Sequence, residues 1–263
     1  MKRILSFLLI TMCIGTVCAQ SYSDAFDEAF SRNDVKAQRE ALQLWHQEAP
    51  DDVNLFIARY NFYANQAMNP NVVDADTPLA DSALMAIDEG ITHFSDRLDL
   101  RFGKIYFLGE LGKWDAFVDE IGRTLDHSVQ INHRWIFPNV PDDMMEDLFT
   151  EAMNDYLVTM FGSISDTARL TAADTIMAKH IQGLAKRIVQ LFPGDFPSTY
   201  MLALSHLMLN ENDKAYKYLM RAEKISSSSV NLLQSLVKVC RLLGKVAQAE
   251  EYQSRLNSLQ HQD

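Results

Sequence analysis

Side chains that could do chemistry are present in this chain, but their spacing argues against a reactive centre. His127 and His133 stand with five residues between them, and neither has a cysteine or third histidine at metal-ligand spacing. Asp74-Ala75-Asp76 opens like a calcium loop. An EF-hand would need glycine where Leu79 stands and glutamate where Met85 stands, and Pro78 takes a ligand position. No glycine-rich phosphate loop follows a strand pattern, and no serine elbow is found. The carboxylates are spread along helical stretches, where they read as solvated faces. The expected inventory is therefore no catalytic residue, no metal and no cofactor. A closer spacing is that of Lys238 and Arg241, which share one helical face of positive charge and could receive an acidic segment.

The elements that must position these residues begin after a leader. Lys2 and Arg3 precede an apolar run from Ile4 to Ile14, and Val17-Cys18-Ala19 ends on a small residue. That is the pattern of a secretory signal peptide over residues 1–19, cut after Ala19. The run is too short for a lasting membrane helix, so the mature chain is expected to hold no transmembrane helix. A lipoprotein anchored through Cys18 is the alternative, although Val17 fits that pattern poorly. Export leaves Cys240 as the single thiol, so no internal disulfide is available and the core must hold the fold. The net charge of −11 becomes −13 once Lys2 and Arg3 leave with the leader, which argues against nucleic acid and anionic membrane as partners.

Apolar residues recur at helical spacing along the mature chain, and alternating runs are almost absent. The spacing predicts helices over 24–32, 34–48, 53–67, 79–89 and 96–111, and another that follows the Gly112-Lys113-Trp114-Asp115 turn and runs to about Leu125. Gly90 is expected to end its helix as a left-handed cap. Residues 127–141 break the rhythm and carry His133, Arg134, Trp135 and Phe137. Further helices are expected over 144–161 and up to Leu191, with Thr171 and Asp174 forming a capping box. The domain plan is thus 20–126 as irregular helical repeats, 127–141 as an aromatic insert and 142–263 as C-terminal repeats. The first four helices are expected to be the least regular.

Residues 197–258 match themselves at a shift of 34. Leu202 falls on Leu236, Leu209 on Leu243, Ala215 on Ala249, Tyr218 on Tyr252 and Arg221 on Arg255. Leu219 falls on Gln253 and Ala222 on Leu256. A fixed period of this length means a supersecondary unit stacked on its own copy. The segment resembles a tetratricopeptide repeat (TPR) pair. Leu202-Ala203 and Leu236-Val237 stand at the Leu-small step, Ala215 and Ala249 at the tight helix crossing, and His206 and Cys240 replace the usual aromatic. Upstream, the Gly112-Lys113-Trp114-Asp115 turn parallels Gly244-Lys245. The resemblance implies an all-α, right-handed α–α solenoid of about twelve helices in some six hairpins, with the last two most regular.

The resemblance also implies where a ligand would lie. In TPR arrays the first helix of each pair lines the concave face. Transferring that register makes Tyr200, Leu204, Leu207, Asn231, Gln234, Lys238 and Arg241 candidate groove residues, joined upstream by Phe102 and Tyr106. The expected function is a non-catalytic adaptor or scaffold that binds a protein or peptide outside the cytoplasm, periplasmic or secreted. A structural subunit of an envelope assembly or transport complex is the alternative. A helical enzyme acting on peptide or glycan is a third reading. His133, Arg134, Trp135 and Phe137 are expected either to seal the seam between the two halves or to present a hot spot to a partner.

Overall fold

With helical periodicity and no alternating runs, only helix-on-helix packing can bury the apolar stripes. The computed structural model describes residues 17–69, 78–167, 169–227 and 229–260. Residues 1–16 of the leader and the Asp74-Ala75-Asp76 loop lie outside them. Among the described residues there are twelve α-helices: α1 (Val17–Ser31), α2 (Val35–Glu48), α3 (Val53–Ala67), α4 (Leu79–His93), α5 (Leu98–Glu110), α6 (Trp114–Gln130), α7 (Met145–Gly162), α8 (Ala172–Leu191), α9 (Phe196–Met208), α10 (Asn212–Ile225), α11 (Val230–Leu242) and α12 (Val246–Gln260). They form two compact units, Met1–Asp142 and Asp143–Asp263. Each unit holds three hairpins, α1/α2, α3/α4 and α5/α6 in the first and α7/α8, α9/α10 and α11/α12 in the second. Neighbouring hairpins pack through α2 on α3, α4 on α5, α8 on α9 and α10 on α11. The fold is all-α and TPR-like.

The period has a backbone cause. α9 shifted by 34 gives the bounds of α11, and α10 so shifted begins where α12 begins. Four of the hairpins, α1/α2, α5/α6, α9/α10 and α11/α12, turn through three residues whose middle member is left-handed: Asn33 (φ 55°), Gly112 (φ 65°), Asn210 (φ 59°) and Gly244 (φ 69°). In every case that residue's N–H reaches back three residues and the next N–H reaches back five. Examples are Asn33 N to Phe30 O at 3.0 Å with Asp34 N to Ala29 O at 2.9 Å, and Gly244 N to Arg241 O at 3.2 Å with Lys245 N to Cys240 O at 2.8 Å. This paired pattern satisfies the last helical carbonyls and reverses the chain at once. Only glycine and asparagine enter that region at low cost, which is why these positions are restricted. The α1–α2 turn follows the same hydrogen-bond pattern as the last.

Three of the links between hairpins also share one pattern. Asp52, Asp195 and Ser229 stand before α3, α9 and α11 and accept from the N–H of Asn54, Ser198 and Leu232. Thr171 and Asp174 form the expected capping box at the start of α8. Asp174 also accepts from the N–H and hydroxyl of Ser165, and the bonds from Thr171 first, then those from Ser165, hold its carboxyl down to about 2. The cores fill the hairpin interiors, with Trp45, Phe26 and Leu55 in the first unit and Leu219, Leu232 and Leu236 in the second. Each such fully buried side chain contributes roughly 1.5–3 kcal/mol. His206, at the TPR aromatic position, stacks on Tyr218 with ring centroids 5.3 Å apart and 7° between planes, so its ring does the packing.

Three expectations need correction. α4 runs through Gly90 to His93, so Gly90 is not a cap. A Cβ there would lie 3.0 Å from Cβ of Phe56, and the glycine instead lets α3 and α4 approach closely. α6 continues through Gln130, so the irregular stretch starts four residues later than residue 127. Ser128 explains this, because it is buried on the inner face of the helix and extends the packing stripe past the polar run. α1 begins upstream of Asp24.

Candidate functional site

The last hairpin carries an open groove between its two helices, of about 450 Å³, lined by Gln234, Val237, Lys238, Arg241, Leu242, Gln253 and Leu256. Helical spacing makes it. Positions 234, 237, 238 and 241 recur on one side of α11, while 253 and 256 recur one turn apart on α12. Gln234, Lys238, Arg241 and Leu242 are exposed, and Val237 and Leu256 form the buried floor. Arg241 Nη2 donates to Gln253 Oε1 at 3.2 Å, tying the two walls together. Two cations and no carboxylate line the groove. The arrangement can hold an apolar surface on its floor and a carboxylate at its rim.

The other groove candidates are placed differently. Tyr200 is half-buried, and its hydroxyl donates to Asn231 O at 3.0 Å and lies 2.9 Å from Ser235 Oγ. Burial raises its pKa, against the bond to Ser235. Leu204 is half-buried, and Leu207 packs against the core shared by α9–α12. Asn231 is exposed beside Tyr200. In the first unit Phe102 is half-buried with its ring 6.2 Å from Phe137, and Tyr106 is half-buried with its pKa raised by burial. Gln234, Lys238 and Arg241 are therefore brought together, while Tyr200 and Leu207 pack against the core and Leu204 is half-buried. Val237, Leu242, Gln253 and Leu256 were not among the expected residues. Their signal was the exchange of Leu219 for Gln253 across the period.

The irregular stretch folds back on its own unit. Ile136 N donates to Asp96 O at 2.9 Å and Leu98 N to Ile136 O at 3.0 Å, a short parallel bridge onto the link before α5. Trp135 is buried, its Nε1 donates to Ser128 Oγ at 2.9 Å, and Arg101 lies 5.6 Å over its ring. His133 and Arg134 are exposed, with His133 Nδ1 2.8 Å from Ser128 Oγ. His127 Nε2 meets Asp96 Oδ1 at 2.8 Å. That bond, followed by the one from Ser95, holds the Asp96 carboxyl below its usual range.

Beneath Trp135 lies a buried charge cluster. Glu120 of α6 meets Lys104 at 2.8 Å, Arg123 at 3.2 Å and Arg101 at 3.5 Å, and Lys104 also reaches Asp88 at 2.6 Å. The side chain of Glu120 is 3% exposed and that of Arg101 9%, so both charges depend on each other. Burial pulls the Arg101 pKa down, and Glu120 and Asp96 oppose it. Cys240 is buried and its thiol pKa is raised by that burial, as for a small packing residue. Among the described residues no group of three or more His, Cys, Asp or Glu is placed to hold a metal ion, and no helix is long and apolar enough to cross a membrane.

No protein-family model matches the chain, and no curated protein matches it. Among solved structures it is similar to PilW, described as a widely conserved type IV pilus biogenesis factor, at 13% identity and TM-score 0.44 over 93% of this chain and 94% of that one. It is similar to MamA of Desulfovibrio magneticus RS-1 at 12% identity and TM-score 0.45 over 78% and 94%. A tetratricopeptide repeat protein from Parabacteroides merdae is similar at 10% identity and TM-score 0.41 over 91% and 79%. The fold is TPR-like by its own paired helices and repeated turns.

Proposed function

We propose that the protein is a non-catalytic TPR-like adaptor or scaffold that binds a protein or peptide outside the cytoplasm. One observation carries the reading. The last hairpin keeps an open groove whose floor is apolar and whose rim is Gln234, Lys238 and Arg241, a surface suited to a side-chain-bearing ligand rather than to chemistry. The leader pattern of Lys2, Arg3 and the apolar run supports export. A pull-down from the native envelope tests the reading. Cross-linked partners should map to α11 and α12 and be lost in a Gln234→Ala, Lys238→Ala, Arg241→Ala variant that melts as the parent does. Capture of nothing above background would sink the adaptor.

A structural subunit of an envelope or transport assembly is the second reading, and Cys18 at the end of the leader motivates it. Mass spectrometry of the mature N-terminus separates the two. Gln20 as first residue supports the free protein, and a diacylated Cys18 supports the anchored subunit.

A further inference from the structure

The groove on α11 and α12 occupies a place that the preceding repeat shows filled. Shifted back by one period, Gln234, Lys238, Arg241, Leu242 and Gln253 become Tyr200, Leu204, Leu207, Met208 and Leu219. The first three of these are half-buried and the last two buried, whereas four of their counterparts are exposed and Gln253 is half-buried. The difference is α11 itself. It lies on α9 and α10, its Ser235 meets Tyr200, and its Leu232, Leu236 and Val239 share one core with Leu219 and Ala222. The groove is therefore the seat of a helix.

Resting on the adaptor reading, we infer that the ligand is an acidic amphipathic helix of a partner protein, docked on α11 and α12 as α11 docks on α9 and α10. Periodicity supplies the shape and charge supplies the partner's chemistry. Where the filled seat has Leu204 and Leu207, the open one has Lys238 and Arg241, and no carboxylate lines it in a chain of net charge −11. A helix with apolar residues at positions like 232, 236 and 239 covers Val237 and Leu256. Carboxylates flanking that stripe meet the two cations. A symmetric pairing of two copies through this face would set Lys238 and Arg241 against their own images, which like-charge repulsion disfavours.

The contact of Tyr200 with Ser235 gives the register for a probe. A helix in the open seat presents its own position 235 to Gln234 and Lys238, and its position 242, two turns on, to Arg241. The probe is a synthetic peptide of residues 229–243 with Ser235→Glu and Leu242→Glu, stapled between positions 234 and 238, which are exposed on α11. Binding to the full chain is read by fluorescence anisotropy. The acidic peptide should bind the parent, weaken as salt rises, and lose about tenfold in affinity against a Lys238→Glu, Arg241→Glu variant. A peptide with lysine at 235 and 242 should show the opposite preference. Both substituted side chains are exposed, so an unchanged circular-dichroism melt confirms folding. Equal binding of both peptides, no binding, or an unaltered variant overturns the inference, while partner capture in the pull-down would still uphold the adaptor. Self-association of the parent that the variant abolishes overturns it in favour of a second copy.

Discussion

The α5–α6 and α11–α12 hairpins share a backbone frame and invert its chemistry. Both begin with a thirteen-residue helix and turn through a left-handed glycine, Gly112 or Gly244. Counted from the helix start, Arg101 and Lys104 of α5 occupy the places of Leu233 and Leu236 of α11, and Phe102 and Tyr106 those of Gln234 and Lys238. One hairpin thus buries its cations around Glu120 and sets Phe137 beside Phe102. The other buries leucines and displays its cations at an open groove. Turn geometry and helix length decide where a hairpin folds. They leave open which face is charged.

The comparison breaks most readily at Glu120. Replacing it by alanine leaves Arg101 and Lys104 buried without their shared partner and should cost about 3–5 kcal/mol in urea unfolding. Lys238→Ala in the other hairpin should shift stability by no more than about 0.5 kcal/mol. If the two substitutions cost the same, the contrast between buried and displayed charge is wrong.

Trp135→Ala should follow, at about 3 kcal/mol, because the ring is buried and its Nε1 bonds Ser128. A melt unchanged by the substitution would make Trp135 a binding residue instead. The shared frame is sharpened by the turns. Gly112→Ala and Gly244→Ala should each cost about 1 kcal/mol, the strain of a Cβ at positive φ, and nothing stands within 4 Å of either added methyl. A large difference between them would mean that the turns are not equivalent.

The smallest effect is a pH dependence at Glu211, whose carboxyl is held down to about 2 by Lys214 and then by His206. A folded-state pKa below the unfolded one stabilises above the unfolded value and fades as pH falls from about 4.5 towards 2. Because Glu211 is a third exposed, solvent screening keeps its share small. Glu211→Gln should remove that share of the acid dependence and leave the rest of the curve in place.

Much of this was legible in the chain. The self-match at 34 residues marked the four helices α9–α12, since a repeated frame repeats its core leucines and its crossing alanines, Ala215 and Ala249. Gly90 misled because glycine in a helical stretch reads locally as a cap, and only the approach of Phe56 reveals its packing role. Arg101, Lys104 and Glu120 gave no local signal, because a charged helix face normally points to water. On the groove, the register of one helix placed Gln234, Lys238 and Arg241 in a row. Gln253 and Leu256 reach it from α12 after the chain has reversed, which spacing along one helix does not convey.

The link residues carry one more consequence, for the history of the chain. Asp52, Asp195 and Ser229 hold nearly the same backbone angles, φ −75° and ψ 122°, φ −75° and ψ 114°, and φ −77° and ψ 120°. Each ends a link and opens a helix with its own side-chain cap. Excising residues 196–229 would splice Asp195 to Val230 with the cap and the helix start in register. A gene copying error one period long would therefore lengthen or shorten this protein without damaging a single turn.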